Sequence, residues 1–234
     1  MSDPVCFESS GDVAILRLDD GKANALPPVV LAALGAGLDR AAEAGQAVLL
    51  VGRPGRFSAG FDLSVMREGG PDAAREMITA GARLALRLAR FPAPVVIGAT
   101  GHALAMGAVL LLTADTRVGA RGDFKIGFNE VAIGMATPAF LMEFARERIS
   151  KRHFLRATVE AEIYDPESAV DVGFLDRTAE PDRVIDVALA EAERLAKLPR
   201  AAYARTRAVA RSAVLDHIEA SLVADMAGAF PSGS

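Results

Sequence analysis

The sequence predicts an α/β fold with a helical C-terminal part, and three observations carry that reading. Two continuous apolar runs, Ala47-Val48-Leu49-Leu50-Val51-Gly52 and Pro94-Val95-Val96-Ile97-Gly98-Ala99, show no polar alternation. Strands of that kind are covered on both faces, as in parallel sheets flanked by helices. Each run leads directly into a loop of small residues, Arg53 to Asp62 and Thr100 to Gly107. In open α/β sheets such loops, at the ends of buried strands, are where ligands gather. Beyond Leu175 the composition turns helical, which divides the chain into an α/β core over 1–175 and a helical part over 176–234.

Composition narrows the function classes. The chain has 234 residues, 51% of them hydrophobic, enough for a sizeable core, and a net charge of −4. Its basic residues form no dominant patch in sequence, so no nucleic-acid partner is expected. The single cysteine, Cys6, allows no intrachain disulfide and no thiolate metal cluster. His102, His153 and His217 lack ligand spacing, so no metal site is expected. No signal peptide is visible, and the longest apolar runs are too short to span a bilayer. The expected setting is the cytoplasm, away from any membrane.

The elements follow in order. Val5–Glu8 and Val13–Leu18 are strand-like, joined by the turn signal Ser9-Ser10-Gly11-Asp12. After the polar loop 19–26, Pro27-Pro28 opens a helix in which Leu31, Leu34, Leu38 and Ala41 recur at helical spacing, ending at Gly45. The first buried strand and its loop come next. Gly60 lets the backbone turn, and Asp62 caps a short helix to Glu68. Gly69-Gly70-Pro71 breaks the chain, and Asp72 caps a long helix to Phe91. The second buried strand passes through the small-residue loop into an apolar helix, Ala108–Leu112. Ala114–Ala120 and Phe124–Ile126 read as strands, and 128–134 as a loop ending at Gly134. Helices are expected from Pro138 to Ala145, from Lys151 to Val159 under a Ser150 cap, and from Asp165 to Gly173. Asp182 caps a helix with Ile185, Leu189, Ala192 and Ala196 on one face. A last helix runs from Arg200 to about Ala227, and the tail from Phe230 reads as unstructured.

A buried strand entering a helix through small residues leaves backbone N–H groups free and pointing one way. They can hold an oxygen that gains negative charge. The alternative is that Gly101 and Gly107 serve only close packing, and neither loop alone decides between the two. Together they do more. Phe57-Ser58-Ala59-Gly60-Phe61-Asp62-Leu63 resembles the signature loop of the crotonase (enoyl-CoA hydratase/isomerase) family. Thr100-Gly101-His102-Ala103-Leu104-Ala105-Met106-Gly107 is similar to its second loop, usually Asn-Gly-x-Ala-x-Gly-Gly-Gly. The segment from Ala169 to Gly173-Phe174-Leu175-Asp176 matches a later family pattern. The likeness covers about Val5 to Ala227.

The resemblance implies a crotonase-like spiral of ββα units with a helical C-terminal part that forms trimers or dimers of trimers. It implies an acyl-CoA thioester as ligand, with coenzyme A arriving as part of the substrate and no further cofactor. The backbone N–H groups of Phe61 and Met106 would form the oxyanion hole. Ala59 and Lys22-Ala23 would lie along the CoA, with Lys22 and Arg67 near its phosphates. Gly60, Asp62 and Val109 complete the implied substrate-binding set, although Asp62 also reads as a helix cap. Hydratases of the family use two glutamates. The second corresponds to Glu130, whereas the position of the first holds Val109. One carboxylate suits the removal of a proton from one carbon and its return to another, the double-bond shift of a Δ3,Δ2-enoyl-CoA isomerase. Asn129-Glu130-Val131-Ala132-Ile133-Gly134 followed by Pro138 is similar to the short, plant-type isomerases of the family. Phe128, Val131, Ile133 and Val109 are expected to wall the base with apolar surface. His102 reads as packed or hydrogen-bonded, and Asp115 as structural.

Met106, where the family has glycine, shapes or narrows the acyl pocket on this reading. The C-terminus is also shorter than in many relatives. Two rivals remain open: hydration, thioester hydrolysis or carbon–carbon chemistry on the same scaffold, and a catalytically silent acyl-CoA binder.

Overall fold

The computed structural model describes residues 3–228. Strands β1 (Val5–Ser10) and β2 (Val13–Leu18) form the expected antiparallel hairpin. To β2 are added, all in parallel, β4 (Ala47–Val51), β7 (Val95–Ala99), β9 (Thr116–Ala120) and β11 (Arg177–Ala179). The sheet order is β1-β2-β4-β7-β9-β11. Val48, Leu50, Val95 and Ile97 face a core shared with α1 (Pro28–Ala44), α2 (Leu63–Ala89) and α3 (Met106–Thr113). The intervening Ala47, Leu49, Val51 and Val96 face α7 (Val184–Ala196). Because both faces are covered, the two strands carry no polar alternation. The 175/176 division therefore runs through the sheet, with β11 and α7 completing it from the C-terminal side.

The sequence missed the short strands apart from the one expected at Phe124–Ile126, of which only Ile126 lies in a strand. β3 (Ala25–Leu26) pairs in parallel with β6 (Gly60–Phe61). A second parallel sheet, in the order β10-β8-β5, joins β5 (Gly55–Ser58), β8 (Gly101–Leu104) and β10 (Ile126–Gly127). These pieces of two to four residues are too short for any periodicity to register.

Several caps need correction. The break in α2 falls at Gly70 (φ 70°, ψ −165°), so Pro71 starts the second helical segment. Asp72 sits inside its first turn, paired with Arg75 at 3.0 Å. Past α4 (Ala139–Arg148) the chain makes a turn before α5 (Phe154–Thr158), so Ser150 caps nothing. Asp165 does cap α6 (Pro166–Val172), accepting from Ser168 N. Helix α7 starts after Arg183 with no side-chain cap. It buries Val184, Ala188, Ala192 and Leu195, a face turned about one residue from the expected one. The tail from Phe230 lies outside the described residues.

Every residue of α3 is buried. A buried helix needs partners for the carbonyls its last turn leaves unpaired. Arg211, on α8 (Arg200–Gly228), donates to Thr113 O at 2.8 Å and Leu112 O at 3.2 Å. Arg148 donates to Ala114 O at 2.6 Å. Glu147 holds Arg211 through Nε and Nη2 at 2.9 and 2.6 Å. Arg211→Leu strands Glu147 and two carbonyls. It should destabilise the protein by about 3–5 kcal/mol, read from urea denaturation, with Arg211→Lys losing less.

Candidate active site

The two small-residue loops meet. β5 lies beside β8 with Gly55 opposite Gly101 and Ser58 opposite Ala103, and β10 flanks β8 on its other edge. The second loop ends at Ala105, the residue before α3, in a backbone conformation rare for alanine (φ 51°, ψ −125°). Its N–H donates to Gly127 O at 3.0 Å. Met106, the first residue of α3, has an N–H without an intrahelical acceptor by its position. From the first loop, Gly60 (φ 91°) comes so close that a methyl group there would lie 2.8 Å from Ala105 Cβ and 3.1 Å from Met106 N. Gly107 likewise allows close approach, since a Cβ would meet Ser58 O at 2.5 Å. The backbone of Gly60-Phe61 and the N-terminus of α3 thus form one continuous wall.

Residues the sequence reading passed over hold the first loop. Asn24 is fully buried at φ 54°, a conformation asparagine tolerates. Its Nδ2 donates to Leu18 O at 2.9 Å, Arg56 O at 3.0 Å and Phe57 O at 3.2 Å. Ser58 Oγ donates to Asn24 O at 2.8 Å and accepts from Gly60 N at 3.1 Å. The signal available was a lone Asn at the junction of a polar loop and the apolar Ala25-Leu26.

Glu130 lies three residues past Gly127, the residue that anchors Ala105. It is 8% exposed and caps a 3-10 turn over Val131–Ile133. Its Oε2 is buried without a hydrogen-bond partner. Burial pushes its pKa above the ordinary glutamate value, partly offset by the backbone N–H groups of Glu130 and Asn129. The four residues expected to wall Glu130 differ in burial. Phe128 and Val109 are buried in the core, but Val131 and Ile133 remain 44% and 47% exposed, because the 3-10 turn directs them outward. Met106 is 1% exposed, its side chain packed on α2 beside Gly81. That packing places the methionine side chain in the core against α2.

The other predicted residues fall into two groups. Ala59 N donates to Ala23 O at 3.1 Å, and Arg53 Nη1 donates to Lys22 O at 2.7 Å. Lys22, Ala23 and Ala59 therefore share one rim, with Lys22 and Ala59 exposed. Asp62 accepts from Ser64 N at 2.9 Å and Ser64 Oγ at 2.7 Å, and these bonds hold its carboxyl below the usual range. Arg67 follows, exposed, on the same helix. His102 Nδ1 accepts from Lys125 N at 2.9 Å and its ring meets Phe124 edge-on, so it is tied into the sheet. Asp115 accepts from Val95 N and from Arg207 Nε. A cavity of about 720 Å³ opens among Asp115, Arg148, Leu195, Tyr203 and Arg211, and none of the predicted site residues lines it.

Comparison with known proteins identifies the family and the fold. The family model described as enoyl-CoA hydratase/isomerase matches residues 8–228. A Pseudomonas syringae protein of that family superimposes with a TM-score of 0.95 at 38% identity, covering 97% of this chain and 99% of the other. A Mycobacterium tuberculosis enoyl-CoA isomerase gives 0.93 at 38% identity, over 98% and 100% of the two chains. Human mitochondrial enoyl-CoA delta isomerase 1 is 27% identical over 223 residues, 94% of this chain and 74% of the human one.

Two outcomes are expected. Asn24→Ala removes the donor from three backbone carbonyls and should cost about 1–3 kcal/mol in chemical denaturation. Glu130 carries a folded pKa above its unfolded one, so its charge opposes folding at neutral pH and this penalty fades as pH falls towards the unfolded value. Glu130→Gln should therefore raise Tm at pH 7–8, with the gain shrinking in acid. A Tm gain that does not depend on pH would show that the buried charge is not its source.

Proposed function

The chain belongs to the enoyl-CoA hydratase/isomerase family, and on that premise we propose that it shifts the double bond of a 3-enoyl-CoA to the 2-position. The observation that carries this reading is a single buried carboxylate. Glu130, three residues past the Gly127 that holds Ala105 at the start of α3, has a buried oxygen without a partner, while Val109, where a second carboxylate would stand, is wholly buried among apolar side chains.

In the proposed reaction the Glu130 carboxylate takes a proton from C2 of the acyl chain. The C2–H electron pair moves towards the thioester carbonyl, whose oxygen gains charge facing the N–H groups of Phe61 and Met106. Two aimed backbone donors stabilise such an oxygen without reorganising, and losing one typically costs about 2.7–4 kcal/mol. Glu130 then returns the proton to C4 while the C3–C4 double bond moves to C2–C3. Protons and electrons balance, and no water is consumed. A raised pKa makes the carboxylate a stronger base and its conjugate acid a ready donor. We assign Lys22, Ala23 and Ala59 to the CoA path, with Arg67 near its phosphates.

The test is an ultraviolet assay with trans-3-hexenoyl-CoA, following the conjugated 2-enoyl thioester. Conjugation should appear with the wild type. Glu130→Gln should lower kcat by about 10²–10⁴-fold. The wild-type rate should fall in acid through an apparent pKa above the ordinary glutamate value, because only the ionised base works. Hydration of a 2-enoyl-CoA at a rate comparable to isomerisation would overturn the single-base reading. Tight ester binding without turnover, unchanged by Glu130→Gln, would favour a binding protein.

A further inference from the structure

Gly81 lies in the middle of α2, buried and in helical conformation, ten residues after Pro71. Glycine is the least favourable helix-interior residue after proline, and no turn or positive φ calls for it here. Its surroundings do. A Cβ at Gly81 would lie 2.5 Å from Phe61 Cε1, closer still to Phe61 Cζ, and 3.5 Å from Met106 Cε. Phe61 and Met106 are the two residues whose N–H groups face the proposed oxyanion position. Their side chains come together over this one missing methyl.

We propose that Gly81 is a positioning residue for the oxyanion hole. It lets α2 act as a flat backstop against which the Phe61 ring and the Met106 side chain are pressed, and this fixes the spacing of the two N–H donors. Two structural facts support the coupling. Met106 is 1% exposed and locked in the core. Gly60, the residue before Phe61, lies so close to the start of α3 that even a Cβ there would come within 2.8 Å of Ala105 Cβ and 3.1 Å of Met106 N, so a displaced Phe61 ring has little room to move without shifting its own backbone. The departure of this chain from a glycine at position 106 thereby gains a physical role. The methionine supplies packing on α2 that a glycine would leave out.

This inference rests on the oxyanion reading above, and the experiment separates the two. Gly81→Ala should lower kcat for trans-3-hexenoyl-CoA by about 10–100-fold, the scale of an ångström-sized misplacement, with ester Kd within about threefold of wild type by the same scale. A second readout does not need turnover. Trans-2-hexenoyl-CoA carrying ¹³C at its carbonyl is bound, and the isotope-edited infrared stretch of that carbonyl is recorded. Wild type should lower the stretch, and Gly81→Ala should lower it less. The double variant Gly81→Ala with Phe61→Leu removes the atoms that clash, and it should restore both kcat and the stretch to the level of Phe61→Leu alone. It also keeps the test alive if Gly81→Ala alone does not fold.

A purely structural role would lower Tm and leave kcat per folded molecule and the infrared stretch unchanged, which would overturn the proposal. So would a double variant as impaired as Gly81→Ala. A wild type with a shifted carbonyl but no turnover would sink the isomerase reading and leave the positioning role standing. A wild type that binds the ester with an unshifted carbonyl would end both.

Discussion

The hydrogen bonds at the two ends of the buried helix α3 are the constraint on which the rest of the structure depends. No residue of that helix reaches solvent, so water is not there to satisfy its terminal groups. At the C-terminal end Arg211 and Arg148 take up the carbonyls of Leu112, Thr113 and Ala114, and their positive charge also complements the helix dipole. Burial with Arg117 and Arg211 nearby lowers the Arg148 pKa to about 10, still far above neutrality, so its charge persists. At the N-terminal end no side chain caps the helix, and its first N–H groups face the meeting point of the two loops. The helix is closed at one end by the protein and open at the other, where the ligand oxygen is proposed to sit.

That open end is held in a demanding shape. Ala105 adopts a positive φ that costs an L-residue on the order of 1–3 kcal/mol. It is compensated from several sides: its N–H binds Gly127 O, and its carbonyl accepts from both Ala108 N and Val109 N. Asn24, also at positive φ, does the same for the first loop by gathering three carbonyls from β2 and β5. Both positive-φ residues flank the wall where charge is proposed to develop. Rigid, over-determined backbone is what electrostatic preorganisation requires, since donors that must reorient during the reaction lose most of their advantage.

The C-terminal helix contributes to this rigidity through charge. Arg207 pairs with Asp115, which also accepts from Val95 N at the start of β7, and Arg211 pairs with Glu147. Arg90, the residue that ends α2, reaches Asp216 and Glu219 on α8 at 2.7 and 2.6 Å. The first two pairs are largely shielded from solvent and fix the helix in register, whereas the Arg90 pairs are exposed and contribute little to stability. Arg117 and Asp176 similarly fasten β9 to the segment entering β11. Net stability and the placement of α3 are therefore coupled through α8, far in sequence from the two small-residue loops.

The sequence by itself determined the elements whose signal is local. Continuous apolar runs marked β4 and β7, helical spacing and proline marked α1, and the two small-residue loops with Glu130 marked the candidate site, because strand burial, helix period and backbone freedom are all written in neighbouring residues. Only the tertiary structure decided what depends on contacts across the chain. The two- and four-residue strands that bring the loops together have no period to read. The exact cap of α7 and its inward face were set by packing on the sheet, which favoured Val184, Ala188 and Leu195 over the expected neighbours. The roles of Asn24 and Arg211 come from partners as many as 33 and 99 positions away. The burial that raises the Glu130 pKa, and the missing methyl at Gly81, are likewise properties of what lies opposite in space, which a linear pattern does not encode.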